Sequence, residues 1–273
     1  MNFKLLPIMM VGLLSFKPLA INDPNGDNNG DEKGKKVEKK VTVVKKSSTL
    51  KTRELAAVTY TSSSSTAESN LSVFDKMVLS EYLDLDENNF AKPELESFKA
   101  AYKGYYKLKE EGKIKKDLLT IIDFTKSSTE RRMWVIDMNN QEVLYQTVVS
   151  HGRKSGMEYA SDFSNVPESN KSSLGFYSTA ETYFGKHGLS LRLDGLEYGI
   201  NHNARARAIV IHAADYASES LGKRQGYLGR SLGCPALPKD VAYDIINLIK
   251  DESCLFIYHE GKKDYLATST LLN

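Results

Sequence analysis

The stretch from Asn22 to about Asn70 constrains this chain most, because it is a poor source of core. It opens Asn22-Asp23-Pro24-Asn25-Gly26-Asp27-Asn28-Asn29-Gly30, passes through a Lys-rich run, and ends near Ser62-Ser63-Ser64-Ser65. Such a composition buries too little apolar surface to offset the entropy lost on ordering. Val41 to Val44 could form a short strand, but its neighbours are highly charged. The composition predicts a disordered low-complexity linker over residues 21–70, whose use is reach. The folded part is expected over residues 71–273.

Residues 1–20 read as an export signal. Lys4 gives a positive start, and Leu5 to Phe16 is an apolar run of signal-core length, interrupted by Pro7, Gly12 and Ser15. Ala20 offers a cleavage point, with Pro18 two residues before it. The run is short for a bilayer span. Export to the periplasm or cell envelope is therefore expected, with an uncleaved amphipathic anchor as the alternative.

Charge argues against a nucleic-acid partner. The chain sums to +2, and Asp31 to Lys46 alone holds seven Lys against three acids. That stretch carries +4, so the remainder carries −2. The basic excess belongs to the tail and not to a binding face.

Beyond residue 71 the pattern becomes structured. Val73, Met77, Val78 and Leu79 suit a helix. Pro93 to Glu111 predicts a better one, with Leu95, Phe98, Ala101, Tyr102, Tyr105 and Leu108 at helical spacing and Gly112 as terminator. This helical portion spans about 71–112. From Asp117 the period changes. Leu118 to Phe124, Met133 to Met138 and Val143 to Val149 predict strands, with Asn139-Asn140 as a hairpin turn. Ser150 to Asn203 reads as long Gly- and Ser-rich loop. Ala208 to His212 predicts a strand, Pro238 to Lys250 a helix and Cys254 to Tyr258 a last strand. The fold class is mainly β or α+β, a β-rich domain with flanking helices. Long loops in such a domain tend to carry function.

The chemistry centres on Cys234. A thiol attacks only as thiolate, and it needs a nearby base and donors for an oxyanion. His212 ends an apolar strand, where a rigid element can aim it. Between the two lies a loop with Gly222, Gly226, Gly229 and Gly233. Gly233 removes bulk beside the thiol, so a substrate carbonyl can approach the backbone. Pro235 biases Cys234 away from helical geometry and donates no N–H. Backbone oxyanion donors are then confined to Leu232, Gly233 and Cys234. Cys234 and Cys254 could instead form a disulfide. His151 ends a strand and suits either a substrate loop or a structural role. His187 and His202 suit polar surface loops. His151, His202, His212 and Cys234 show no His-x-x-x-His or Cys-x-x-Cys spacing, so no metal and no cofactor is expected.

Ile211-His212-Ala213, the Gly-rich loop and Arg230-Ser231-Leu232-Gly233-Cys234-Pro235 resemble the active-site signature of the murein L,D-transpeptidase (YkuD-type) catalytic domain family. The likeness runs over about Leu118 to Tyr258 and takes in Ser150-His151-Gly152, Ser172-Ser173-Leu174-Gly175-Phe176-Tyr177 and Gly185-Lys186-His187-Gly188. It implies a mixed β-sheet domain that acts on peptidoglycan stem peptides. In that family a Cys attacks the L,D bond after the third stem residue, D-alanine leaves, and a thioester passes to an amine of a neighbouring stem. Water as acceptor gives an L,D-carboxypeptidase instead. A non-catalytic wall-binding module is the reading from another class.

Carried across, Cys234 matches the nucleophile and His212 the base. Ser231 and Gly233 match positions that shape the loop and oxyanion site. Arg230 could hold a stem carboxylate through its fork. The commoner family form has His where this chain has Leu232, so any help from a second His must come from elsewhere, such as His151.

Overall fold

The computed structural model describes residues 71–273. The signal assigned to 1–20 and the linker assigned to 21–70 lie outside the described residues. Among the described residues no helix is long and apolar enough to cross a membrane.

Two helices lead. Helix α1 (Val73–Asp84) starts on a capping box in which the Ser72 hydroxyl accepts from Asp75 N and the Asp75 carboxylate accepts from Ser72 N. Each group satisfies an N–H that the first helical turn leaves free. Helix α2 (Leu95–Glu110) begins two residues after Pro93 and ends before Gly112, at φ +66. It buries Phe98, Ala101, Tyr102, Tyr105 and Leu108, the stripe expected from spacing. Gly104 lets it lie flat on the domain, because a Cβ there would sit 2.1 Å from the Phe176 ring.

Eight strands form one mixed sheet in the order β3-β2-β1-β8-β4-β5-β6-β7. They are β1 (Leu118–Asp123), β2 (Met133–Asp137), β3 (Glu142–Thr147), β4 (Gly175–Gly185), β5 (Gly188–Gly195), β6 (Val210–Ala213), β7 (Ala236–Leu237) and β8 (Cys254–Tyr258). The pairs β1–β8 and β6–β7 are parallel and the rest antiparallel. Both β1 and β8 are buried along their whole length, which accounts for their mostly apolar sequence, with Thr120 and Asp123 the polar exceptions in β1. The turn at Asn139-Asn140 forms as expected, with Asp137 Oδ1 accepting from both backbone N–H groups.

The two ends of the sheet come together. Past β3 the chain reaches Ser150, whose N–H donates to the carbonyl of Ala236 on β7 at 2.9 Å. The sheet therefore curls nearly into a barrel, and the segment that ends its first edge supports the loop that enters its last strand.

The structure departs from the sequence expectations in two places. Ser150 to Asn203 is not all loop: it contains the long β4–β5 hairpin. Gly175, Gly185, Gly188 and Gly195 bound these strands and look like breakers in sequence. The Gly-rich stretch before Cys234 contains helix α3 (Glu219–Gln225), capped by the Ser218 hydroxyl and closed by Gly226 at φ +81. Helix α4 (Lys239–Ile249) agrees with expectation, while the short C-terminal helix α5 (Lys263–Thr268) has too few residues to show a period.

Candidate active site

Cys234 lies two residues before β7, and His212 lies on β6 opposite Ala236 of β7. The parallel pairing of these strands brings thiol and imidazole to one pocket of about 660 Å³, which both line. The tip of the β4–β5 hairpin and Tyr216 form further walls.

His212 is 2% exposed. Its Nδ1 lies 2.9 Å from the carbonyl of Ala213. A carbonyl only accepts, so Nδ1 carries the proton and Nε2 is the basic nitrogen. The Ala213 carbonyl is thus the orienting acceptor. Asp215 does not serve as a third member, since it is exposed and pairs with Lys239 at 2.7 Å.

The thiol of Cys234 is held by backbone. It accepts from the Val210 N–H at 3.5 Å and donates to the Ala208 carbonyl at 3.7 Å. Ala208 has φ +53, the left-handed region that costs a residue with a Cβ about 1–2 kcal/mol. Burial pushes the Cys234 thiol up, opposed by the Val210 N–H and the Arg207 charge. Burial also pushes His212 down, helped by His187 and Lys186 and opposed by the Ala213 carbonyl. These shifts favour a resting pair of neutral thiol and neutral imidazole. Cys254 is buried in β8 and both cysteines are free, so no disulfide links them.

Ser231 shapes the loop. Its hydroxyl donates to the Cys234 carbonyl at 2.6 Å and accepts from the Gly233 N–H at 3.0 Å. The Gly233 N–H is therefore occupied and is not free to hold an oxyanion. Gly233 has φ +129, and a Cβ would lie 2.8 Å from the Lys171 carbonyl. The protein's own backbone already requires glycine here. Ser172 adds a clamp, donating to the Gly233 carbonyl at 3.1 Å.

His151 stands outside the pocket. It is fully buried, with Nδ1 accepting from Arg132 at 2.8 Å and Nε2 facing the Gly156 carbonyl at 3.4 Å. Burial, then the Arg132 charge, lowers it to about 3. A neutral ring engaged by two internal partners matches the structural role that the sequence offered beside a substrate role. Its carbonyl accepts from the Ser231 N–H at 2.9 Å and supports the loop that carries Cys234. Arg230 lines the pocket, but its Nη1 donates to the carbonyls of Gly156 at 3.2 Å and Arg153 at 3.4 Å. Leu232 is 57% exposed on the pocket rim.

Sequence reasoning missed Arg207, Tyr216 and the placement of His187. Arg207 holds the 164–173 segment against the pocket by donating to the carbonyls of Ser164 and Lys171, each at 2.7 Å. The charged side chains that line the pocket, Lys186, Arg207 and Arg230, are all basic. Arg205 and Arg207 flank Ala206 just before β6, and this basic pair was the available signal. Among the described residues no group of three His, Cys, Asp or Glu stands close enough to hold a metal ion.

The model of the L,D-transpeptidase catalytic domain family matches residues 90–258. The chain belongs to that family. No curated protein matches it. Among solved structures it is similar to an L,D-transpeptidase from Mycobacterium smegmatis, at 15% identity over 52% of this chain and 58% of that one, TM-score 0.33. It is similar to L,D-transpeptidase 3 from Mycobacterium tuberculosis, at 10% identity over 52% of this chain and 61% of that one, TM-score 0.35. It is also similar to the helical cell shape determining protein Pgp2 from Campylobacter jejuni, at 13% identity over 52% of this chain and 47% of that one, TM-score 0.33. The chain thus spans a little over half the length of the first of these.

Proposed function

We propose that this chain is an exported peptidoglycan L,D-transpeptidase working through a cysteinyl thioester. The observation that carries the reading is one pocket lined by Cys234 and by a His212 whose Nε2 is left basic. Family membership supports a stem-peptide substrate and a place in the cell envelope.

The chemistry follows from the site. The Cys234 proton passes to His212 Nε2, and sulfur attacks the carbonyl carbon after the third stem residue. A carbon–sulfur bond forms, the bond to the D-alanine nitrogen breaks, and the imidazolium returns its proton to that nitrogen. An amine of a second stem then attacks the thioester. His212 takes the amine proton and passes it to the departing sulfur.

The oxyanion falls to few donors. With Gly233 N–H engaged by Ser231 and no N–H on Pro235, the Cys234 N–H is the nearest backbone candidate. The basic lining of the pocket suits the carboxylates of a stem peptide.

Full-length wild type and Cys234→Ala should be incubated with defined tetrapeptide stems, and the products separated and weighed. Stem dimers with released D-alanine from wild type alone are expected. Tripeptide without dimer would make the protein an L,D-carboxypeptidase. Wall binding without either product in both proteins would make it a binding module.

A further inference from the structure

The β4–β5 hairpin lays one side chain on the base. The His187 ring stacks on the His212 ring, with centroids 4.3 Å apart and planes 23° apart. His212 is buried while His187 is exposed, so His187 covers a face of the base that would otherwise meet water. Among the described residues the His187 ring makes no hydrogen bond, and the stack is its principal contact with the site.

The hairpin tip is held down at a second point. Tyr243 reaches from α4, and its hydroxyl accepts from the Leu189 N–H at 3.2 Å. Gly188, at φ +76, makes room: a Cβ there would lie 2.3 Å from that hydroxyl. Phe184, on the same tip, is 78% exposed, whereas Leu189 and Ser190 on the β5 side are buried. The tip is therefore anchored by the β5–β6 pairing of Ser190 with His212, and beyond it Tyr243 and His187 add one side-chain contact each.

This arrangement bears on a choice the acylation chemistry leaves open. A thioester at Cys234 can pass to an amine or to water, and the same base serves both. Closing a site over a reactive intermediate suppresses its hydrolysis. Resting on the function proposed above, we propose that His187 is a positioning residue whose ring shields His212 from water and so directs the thioester to the amine acceptor rather than to water. In both outcomes the nucleophile bonds to the carbonyl carbon, the carbon–sulfur bond breaks, and His212 moves the nucleophile's proton to sulfur. Only access differs. The charged and titratable groups that line the pocket with His212 are Tyr183, Lys186 and His187 on the hairpin, Cys234 and Arg230 on the loop, Tyr216 after β6, and Arg207 before it.

The test uses the full chain as wild type, His187→Ala, His187→Phe and Tyr243→Phe, with a tetrapeptide donor and an acceptor stem. Dimer and tripeptide are counted per acyl-enzyme formed, so a change in acylation rate cancels. His187→Ala should lower the dimer-to-tripeptide ratio by about tenfold, equivalent to one decade in relative rate. His187→Phe, which keeps an aromatic face, should restore most of it, and Tyr243→Phe should fall between. In His187→Ala the acid limb of acylation should also move to higher pH, because water reaches His212. An unchanged ratio in His187→Ala, or a His187→Phe protein as hydrolytic as His187→Ala, would overturn the proposal while leaving the Cys234 assignment intact. A wild type that forms no thioester would instead remove the reading on which it rests.

Discussion

His212 donates its Nδ1 proton to the carbonyl of Ala213, the next residue on the same strand, at 2.9 Å. The imidazole is thus oriented by backbone, without a carboxylate. An acid in that place would stabilise the imidazolium and favour a preformed ion pair with the thiol. A backbone carbonyl does so less, and burial acts against both charges.

The pH dependence of the thiol follows. Burial holds Cys234 above its ordinary value of 9.0, so alkylation by iodoacetamide should keep rising past that pH. A plateau already reached below about pH 7.5, the range of strongly activated cysteines, would mean a standing thiolate–imidazolium pair. His212 sits below its ordinary 6.5, so it stays unprotonated at neutral pH and the acid limb of acylation should lie below 6.5.

Ser231 links Gly233 to Cys234 through one hydroxyl. Ser231→Ala removes both bonds and frees the Gly233 N–H. Urea unfolding should show a loss of about 1–3 kcal/mol, the cost of leaving buried polar groups unpaired. Acylation should fall by about 100-fold, because a small misplacement of the nucleophile is enough for that. Near wild-type acylation would show that the backbone holds the loop without this hydroxyl.

His151 should mark acid stability. Its folded value of about 3 lies below the ordinary 6.5, so the unfolded chain binds the proton first. The contribution is intact above 6.5 and is lost as pH falls toward 3, at up to about 1.4 kcal/mol per pH unit. In His151→Gln, whose side-chain oxygen can still accept from Arg132, stability should fall less steeply over that window. Parallel curves for the two proteins would contradict the assignment.

Much of the fold was legible where one period dominates. The stripe from Leu95 to Leu108 and the apolar runs of β1 and β8 announce a helix and two buried strands. The β4–β5 hairpin was hidden because its glycines serve close approach, as at Gly188 beneath Tyr243, yet read as loop. The motif singled out Cys234 and His212, and the structure brings these two side chains to one pocket. The burial of His151 was not, since its partner Arg132 lies 19 residues earlier and meets it only across the folded sheet. Nor could sequence place His187 on His212: that contact depends on how far the hairpin reaches over β6.

The most direct test of the central claim is the intact mass of the protein after brief exposure to a tetrapeptide stem, without acceptor. Wild type should gain the mass of the stem lacking D-alanine, the adduct should map to Cys234 and yield to hydroxylamine, and Cys234→Ala should gain nothing. A wild type that stays at its own mass while consuming the stem, or an adduct that persists in Cys234→Ala, would contradict the account.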